Sequence, residues 1–159
     1  MQLQSPEKGR IFQFPGAVVT FRAVAADTGG AFSLFDGRIG PQQGVPLHLQ
    51  HYDDEAFFVL EGTFHFQIGN QQVQLGPGEF AFVSKETPHA WLNIGTGEGR
   101  LLFLTLPGGF HERYFAEIGE PVTTTSGPLP MGAPDVEKMI AAGQRCGIEV
   151  LPPASEQKG

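Results

Sequence analysis

Residues Pro46–Gly62 read PLHLQHYDDEAFFVLEG, and Pro88–Asn93 answer them further on with PHAWLN. In a β-strand, residues two apart share a face, so His48 and Gln50 point one way and His51 the other. Glu55 opens the next strand after the polar bend Tyr52-Asp53-Asp54, and His89 belongs to a separate strand far along the chain. If His48 and Gln50 face inward, Glu55 and His89 can converge on them. Two imidazoles and a carboxylate buried together are costly unless something compensates them, and a divalent cation does so. Spacing alone leaves the plainer alternative open, that these are structural histidines satisfied by hydrogen bonds.

Outward from this stretch, short runs rich in β-branched and aromatic residues alternate with turn residues, the pattern of an all-β sandwich or barrel. Strands are predicted near 17–24, 31–39, 46–51, 55–60, 63–68, 71–75, 79–83, 89–94 and 100–106. Ile68-Gly69-Asn70-Gln71 reads as a hairpin turn and Leu75-Gly76-Pro77-Gly78 as a second turn. Glycine and proline, 22 and 13 residues, are dispersed through the chain and serve as this punctuation. No pattern suggests βαβ crossovers, and no internal repeat is visible.

After Pro107 the periodicity changes. Phe110, Tyr114, Phe115 and Ile118 recur at helical spacing, with Gly119 placed to end the helix. A second helix is predicted from an Asp135 N-cap to Gly147, with Val136, Met139, Ile140 and Gly143 on one face. The two helices are expected to cover the open side of the barrel, and the aromatic face of the first to serve packing.

The chain of 159 residues suits one core of ordinary size, with 40% hydrophobic residues and 14 phenylalanines for bulk. A net charge of −7 without a Lys/Arg cluster argues against nucleic acid or an anionic membrane surface as partner. No apolar run approaches the roughly 20 residues of a membrane-spanning helix. The opening MQLQSPEKGR lacks a signal pattern, and the single cysteine, Cys146, excludes an internal disulfide. A cytoplasmic location is the expectation.

The quoted stretches resemble the two conserved motifs of the cupins. The first runs His-x-His, then Glu, six residues and Gly; His48, Gln50, Glu55 and Gly62 occupy those positions, with Gln50 in place of the second histidine. The second ends His, three residues, Asn, which His89 and Asn93 match. With the turn at Gly76-Pro77-Gly78 and the tail segments PGGFHERYFAEIG and CGIEVLPP, the chain is similar to single-domain, quercetin-dioxygenase-like cupins over roughly residues 15–152. Ser84 and Glu86 depart from the Pro and Gly usual before the second-motif histidine.

The resemblance implies a double-stranded β-helix, or jelly-roll barrel, in one domain over 1–159. Its conserved barrel would span about 30–107, and a helical extension about 108–152. It also implies one divalent transition metal (Fe, Mn, Ni or Co, with zinc able to occupy the site in purified material) held by His48, Gln50, Glu55 and His89. Gln50 can offer its amide oxygen, a harder and weaker donor than imidazole; without it, two histidines and one carboxylate remain, the composition of a non-haem iron facial triad. Alternatively, the cupin has lost its metal and Gln50 merely hydrogen-bonds Glu55 or a water.

Parity places Phe57 and Val59 on the face of Glu55, and Trp91 and Asn93 on that of His89, making these four the candidate substrate-binding residues. Phe32, Leu34, Phe80 and Phe82 are further candidates for the pocket wall, against the alternative that the rings simply fill the barrel. His65 is expected to face away from the core, and His111 to be structural or exposed. The resemblance suggests a dioxygenase acting on a small aromatic or flavonoid-like substrate, with Glu55 as the catalytic proton acceptor, or else a non-catalytic small-molecule binder. It further implies a homodimer paired through the outer face of a sheet, and Ile11-Phe12-Gln13-Phe14 could add an edge strand to a partner or close its own barrel.

Overall fold

The computed structural model describes residues 10–153. Most of the N-terminal stretch read for an export signal lies outside them. The elements are β1 (Ile11–Phe14), β2 (Ala17–Ala23), α1 (Ala25–Thr28), β3 (Ser33–Ile39), β4 (Gly44–Gln50), β5 (Asp54–Glu61), β6 (Phe64–Ile68), β7 (Gln71–Leu75), β8 (Phe80–Val83), β9 (His89–Asn93) and β10 (Gly99–Leu106). They continue with α2 (Phe110–Ile118), β11 (Glu120–Pro121), α3 (Val136–Cys146) and β12 (Ile148–Val150). No helix among the described residues is long and apolar enough to cross a membrane.

The strands form two facing sheets with the all-β architecture of a double-stranded β-helix. A 7-stranded sheet runs β11-β1-β2-β3-β10-β5-β8, and a 5-stranded sheet runs β12-β4-β9-β6-β7. Period-two alternation is clearest in β10, where Leu101, Phe103 and Thr105 are buried and their neighbours half-exposed. The facing surfaces are filled by rings: Phe21, Phe35, Phe57, Phe64, Phe66 and Phe103 belong to one cluster. Each such ring contributes about 1.5–3 kcal/mol by leaving water.

The segment Ile11–Phe14 forms a strand within its own chain, pairing with β2 and β11. The hairpin at Gly69 forms with that residue at φ 57°, the left-handed conformation glycine adopts without strain. Both helices form where the periodicity places them. Asp135 caps α3 by accepting from the Lys138 amide at 3.0 Å, and Gly147 ends it at φ 73°. Gly119 ends α2 in extended backbone, where a Cβ would press against the Phe14 ring at 2.7 Å, so close packing accounts for the glycine.

Three expectations are corrected. The buried face of α3 is Ala142, Gly143 and Cys146, while Val136 and Ile140 are exposed, because the helix packs its C-terminal half on β12 and α2. Phe80 and Phe82 point outward, since Ala81 and Val83 take the inward positions of β8. Leu34 is likewise on the outer face, with Ser33 and Phe35 inward. His65 alternates with buried Phe64 and Phe66, as its parity requires.

Candidate metal centre

The site draws on both sheets and one helix. His48 and Gln50 come from β4, which is held between β12 and β9, with His48 paired to both Val150 and His89. Glu55 comes from β5 in the opposite sheet, paired with Thr105 and Val83. His48, Gln50, Glu55 and His89 are all buried. One ligand atom each from His48, Glu55 and His89 lie within 4.8 Å of one another, a group that could hold a metal ion.

Backbone carbonyls orient both histidines. The Nδ1 of His48 lies 2.9 Å from the Pro46 oxygen, and that of His89 lies 2.8 Å from the Thr87 oxygen. With Nδ1 carrying the proton, Nε2 of each ring is the free ligand atom, the arrangement of metal-binding histidines. The Nε2 of His89 then faces Glu55 Oε2 at 3.0 Å, two acceptors that only a shared proton or a cation reconciles. The Oε1 of Gln50 is buried without a hydrogen-bond partner. The donor set therefore fits a divalent cation: two imidazole nitrogens, one carboxylate and one spare amide oxygen.

Burial and the neighbouring His89 push His48 down to about 4, with Glu55 opposing. Burial alone would raise Glu55, but His111, His89 and His48 outweigh it and hold the carboxyl at about 2. At neutral pH, His48 is a neutral imidazole and Glu55 a carboxylate, so neither loses a proton on binding a cation.

His111, expected to be structural or exposed, is buried beside the site. His111 is only 3% exposed, with Nδ1 donating to Asp53 Oδ2 at 2.8 Å and Nε2 turned toward the site, 3.9 Å from Glu55 Oε1. Asp53, read as part of a polar bend, is fully buried. Burial works against a charge on His111, but Glu55 and Asp53 outweigh it and raise its pKa. The start of α2 is moored by Glu112, whose Oε2 accepts from the Ala25 amide at 2.9 Å and the Ser33 hydroxyl at 2.8 Å. Only the presence of a histidine in the tail segment hinted at this role, since helical periodicity does not say which face meets the barrel.

His51 points away from the site, within reach of Glu86 at 2.9 Å and Glu149 at 3.1 Å. Glu86 stands at φ 65°, where the motif usually has glycine; its contact with His51 helps offset the strain of that conformation. Above the site opens a cavity of about 160 Å³. Phe57, Trp91, Phe103, Tyr114 and Phe115 supply its aromatic wall, and Pro134, Lys138 and Met139 its rim. Val59 and Asn93 are not on that wall. Val59 is fully buried in the core, and the Asn93 amide donates to the carbonyls of Ile39, Gly40 and Gly97.

These groups give the metal-free protein a stability maximum near pH 6.5. His48 titrates at 6.5 when unfolded and about 4 when folded, so its contribution is full above about 6.5 and falls away toward 4. Glu55, going from 4.5 to about 2, adds a contribution that is lost as pH drops between those values. His111 works in the other direction: its pKa is raised, so its contribution is full below 6.5 and is lost as pH rises through the folded value. Thermal unfolding of chelator-treated protein across pH 4–9 checks this; a profile without an acid slope would exclude a depressed His48.

With fold and site in view, the cupin domain model matches residues 36–105. That match runs from β3 to β10, and the two-sheet fold is that of a cupin barrel. It is 25% identical over 134 residues to quercetin 2,3-dioxygenase of Bacillus subtilis, covering 83% of this chain and 39% of that enzyme. The chain thus spans well under half of that relative's length. It is 29% identical over 107 residues to the tetracenomycin polyketide synthase protein TcmJ of Streptomyces glaucescens, covering 66% of this chain and 68% of that protein. Among solved structures, a predicted oxalate decarboxylase of Thermotoga maritima superposes with a TM-score of 0.59 at 17% identity, over 67% of this chain and 99% of its own.

Proposed function

We propose that the protein is a metal-dependent cupin dioxygenase for a small aromatic substrate, using one divalent transition metal (Fe, Mn, Ni or Co) at His48, Gln50, Glu55 and His89. The observation that carries this reading is the His48–Glu55–His89 group, of which His48 and Glu55 line an aromatic-walled cavity. The metal would supply Lewis acidity toward a substrate oxygen and a meeting point for dioxygen. Phe57 and Trp91 hold the substrate ring and exclude water. An apolar cavity of about 150 Å³ takes a benzene-sized molecule, so about 160 Å³ suits a single ring, with any remainder of the substrate leading toward the Lys138 rim. Glu55, buried and ionised, is the acceptor for a substrate hydroxyl proton. The 25% identity to quercetin 2,3-dioxygenase supports the reaction class.

The test is elemental analysis of protein purified without tag or chelator, followed by oxygen uptake with catechol- and flavonol-type substrates. Stoichiometric metal with oxygen consumption supports the dioxygenase. Tight ligand binding without turnover would instead favour a small-molecule sensor, and a protein that takes up no metal would sink the metal reading.

The working unit in this reading is a homodimer joined through the outer face of the larger sheet. Phe58, Phe80 and Phe82 stand exposed there at 39%, 59% and 52%, with Phe58 directly opposite Phe80 across β5 and β8. Such a patch on a soluble surface calls for a partner, and an apolar stripe is complementary to itself across a two-fold axis. Phe80→Lys combined with Phe82→Lys is expected to convert a dimer into a monomer in light scattering. An unchanged mass would rule this face out.

A further inference from the structure

We infer that His111 is a positioning residue that orients the Gln50 side chain, so that the amide oxygen rather than the amide nitrogen is left free for a cation. This rests on the metal reading above and assigns a role to a residue from outside both motif stretches. The two ends of a glutamine amide are nearly the same size, so the neighbours decide which end faces where. A carboxylate can only accept, and Glu55 Oε2 lies 2.7 Å from Gln50 Nε2; that end of the amide must be the NH2 group.

The same nitrogen lies 3.0 Å from His111 Nε2. An amide nitrogen can only donate, so the pairing is that of the neutral imidazole: His111 Nε2 accepts and the ring's one proton sits on Nδ1. Asp53 Oδ2 stands 2.8 Å from that Nδ1 to receive it. The polarity thus runs in one sense: His111 donates to Asp53, and Gln50 donates to both His111 and Glu55. Both amide protons are used, and Oε1 is the buried atom without a partner. Turning the amide over would set its oxygen against the Glu55 carboxylate and leave His111 Nε2 without a donor. His111 lies outside the three-residue group that could hold an ion, so it acts through Gln50.

Cobalt(II) titration of the chelator-stripped full chain, followed by visible absorption and chelator competition, tests this. His111→Asn keeps a donor for Asp53 but loses the acceptor at Nε2, whereas His111→Gln places an acceptor oxygen at about that reach. His111→Asn and Gln50→Ala are each expected to weaken cobalt binding by about 10–100-fold, with matching changes in the absorption bands. His111→Gln should retain most of the affinity. The double variant, Gln50→Ala with His111→Asn, should bind no more weakly than Gln50→Ala alone, because the two residues act in series. Additive losses in the double variant, wild-type affinity in His111→Asn, or an equal loss in His111→Gln would each overturn the inference. A wild-type chain that binds no cobalt would overturn the metal reading first, and with it this one.

Discussion

Replacing His89 with alanine is expected to lower the metal content of the purified protein from near one ion per chain to a trace. Affinity should fall by more than about 100-fold, since loss of a direct ligand exceeds the cost of losing a supporting hydrogen bond. His89 is fully buried, its Nδ1 is tied to the Thr87 carbonyl, and its Nε2 meets Glu55 across the gap between the sheets. Alanine leaves His48 and Gln50 on one side and Glu55 on the other, with a carboxylate stripped of its nearest partner. Elemental analysis of dialysed His89→Ala, alongside circular dichroism to establish folding, measures this. A folded variant with undiminished metal would place the ion elsewhere.

The second large effect is on stability. Phe35→Ala is expected to cost about 3–5 kcal/mol, the range for deleting a fully buried ring, and to lower Tm by roughly 10 °C or more. Phe35 is wholly buried, and its ring centroid lies 5.1 Å from Phe21, 5.0 Å from Phe103 and 5.2 Å from Phe115. It is the point where β2, β3 and β10 meet α2. Collapse there would loosen α2 and with it His111, so metal affinity should also decline, though less than in His89→Ala. Calorimetry of the two proteins settles the magnitude; a drop of only a degree or two would mean the cluster repacks around the loss.

Much of this architecture was legible because strands announce themselves locally. The alternation in 55–60 and 100–106 and the turns at Gly69 and Gly78 are properties of neighbouring residues, and the observed strands fall within a few residues of those ranges. Parity alone set His48 and Gln50 on one face and His51 on the other. It failed for β8, where Phe80 and Phe82 alternate with Ala81 and Val83 and both faces are apolar. Hydrophobicity cannot choose a face when both offer it, and the larger rings went outward. The short pieces β11 and β12 exist only through their partners β1 and β4, so no local pattern marks them.

The same division holds at the site. Spacing together with the resemblance to the cupin motifs singled out His48, Gln50, Glu55 and His89 as candidates, because motif positions and strand parity are encoded along the chain. That Glu55 reaches the others from the opposing sheet depends on how the two sheets face each other. That Asp53 and His111, 58 positions apart, join them depends on where the mooring of Glu112 sets down α2. The polarity of the Gln50 amide depends in turn on both. Sequence determined which side chains share a face; packing of sheet on sheet and helix on barrel decided which faces turn inward and which residues meet, because such contacts are set by the whole core and not by any neighbour in the chain.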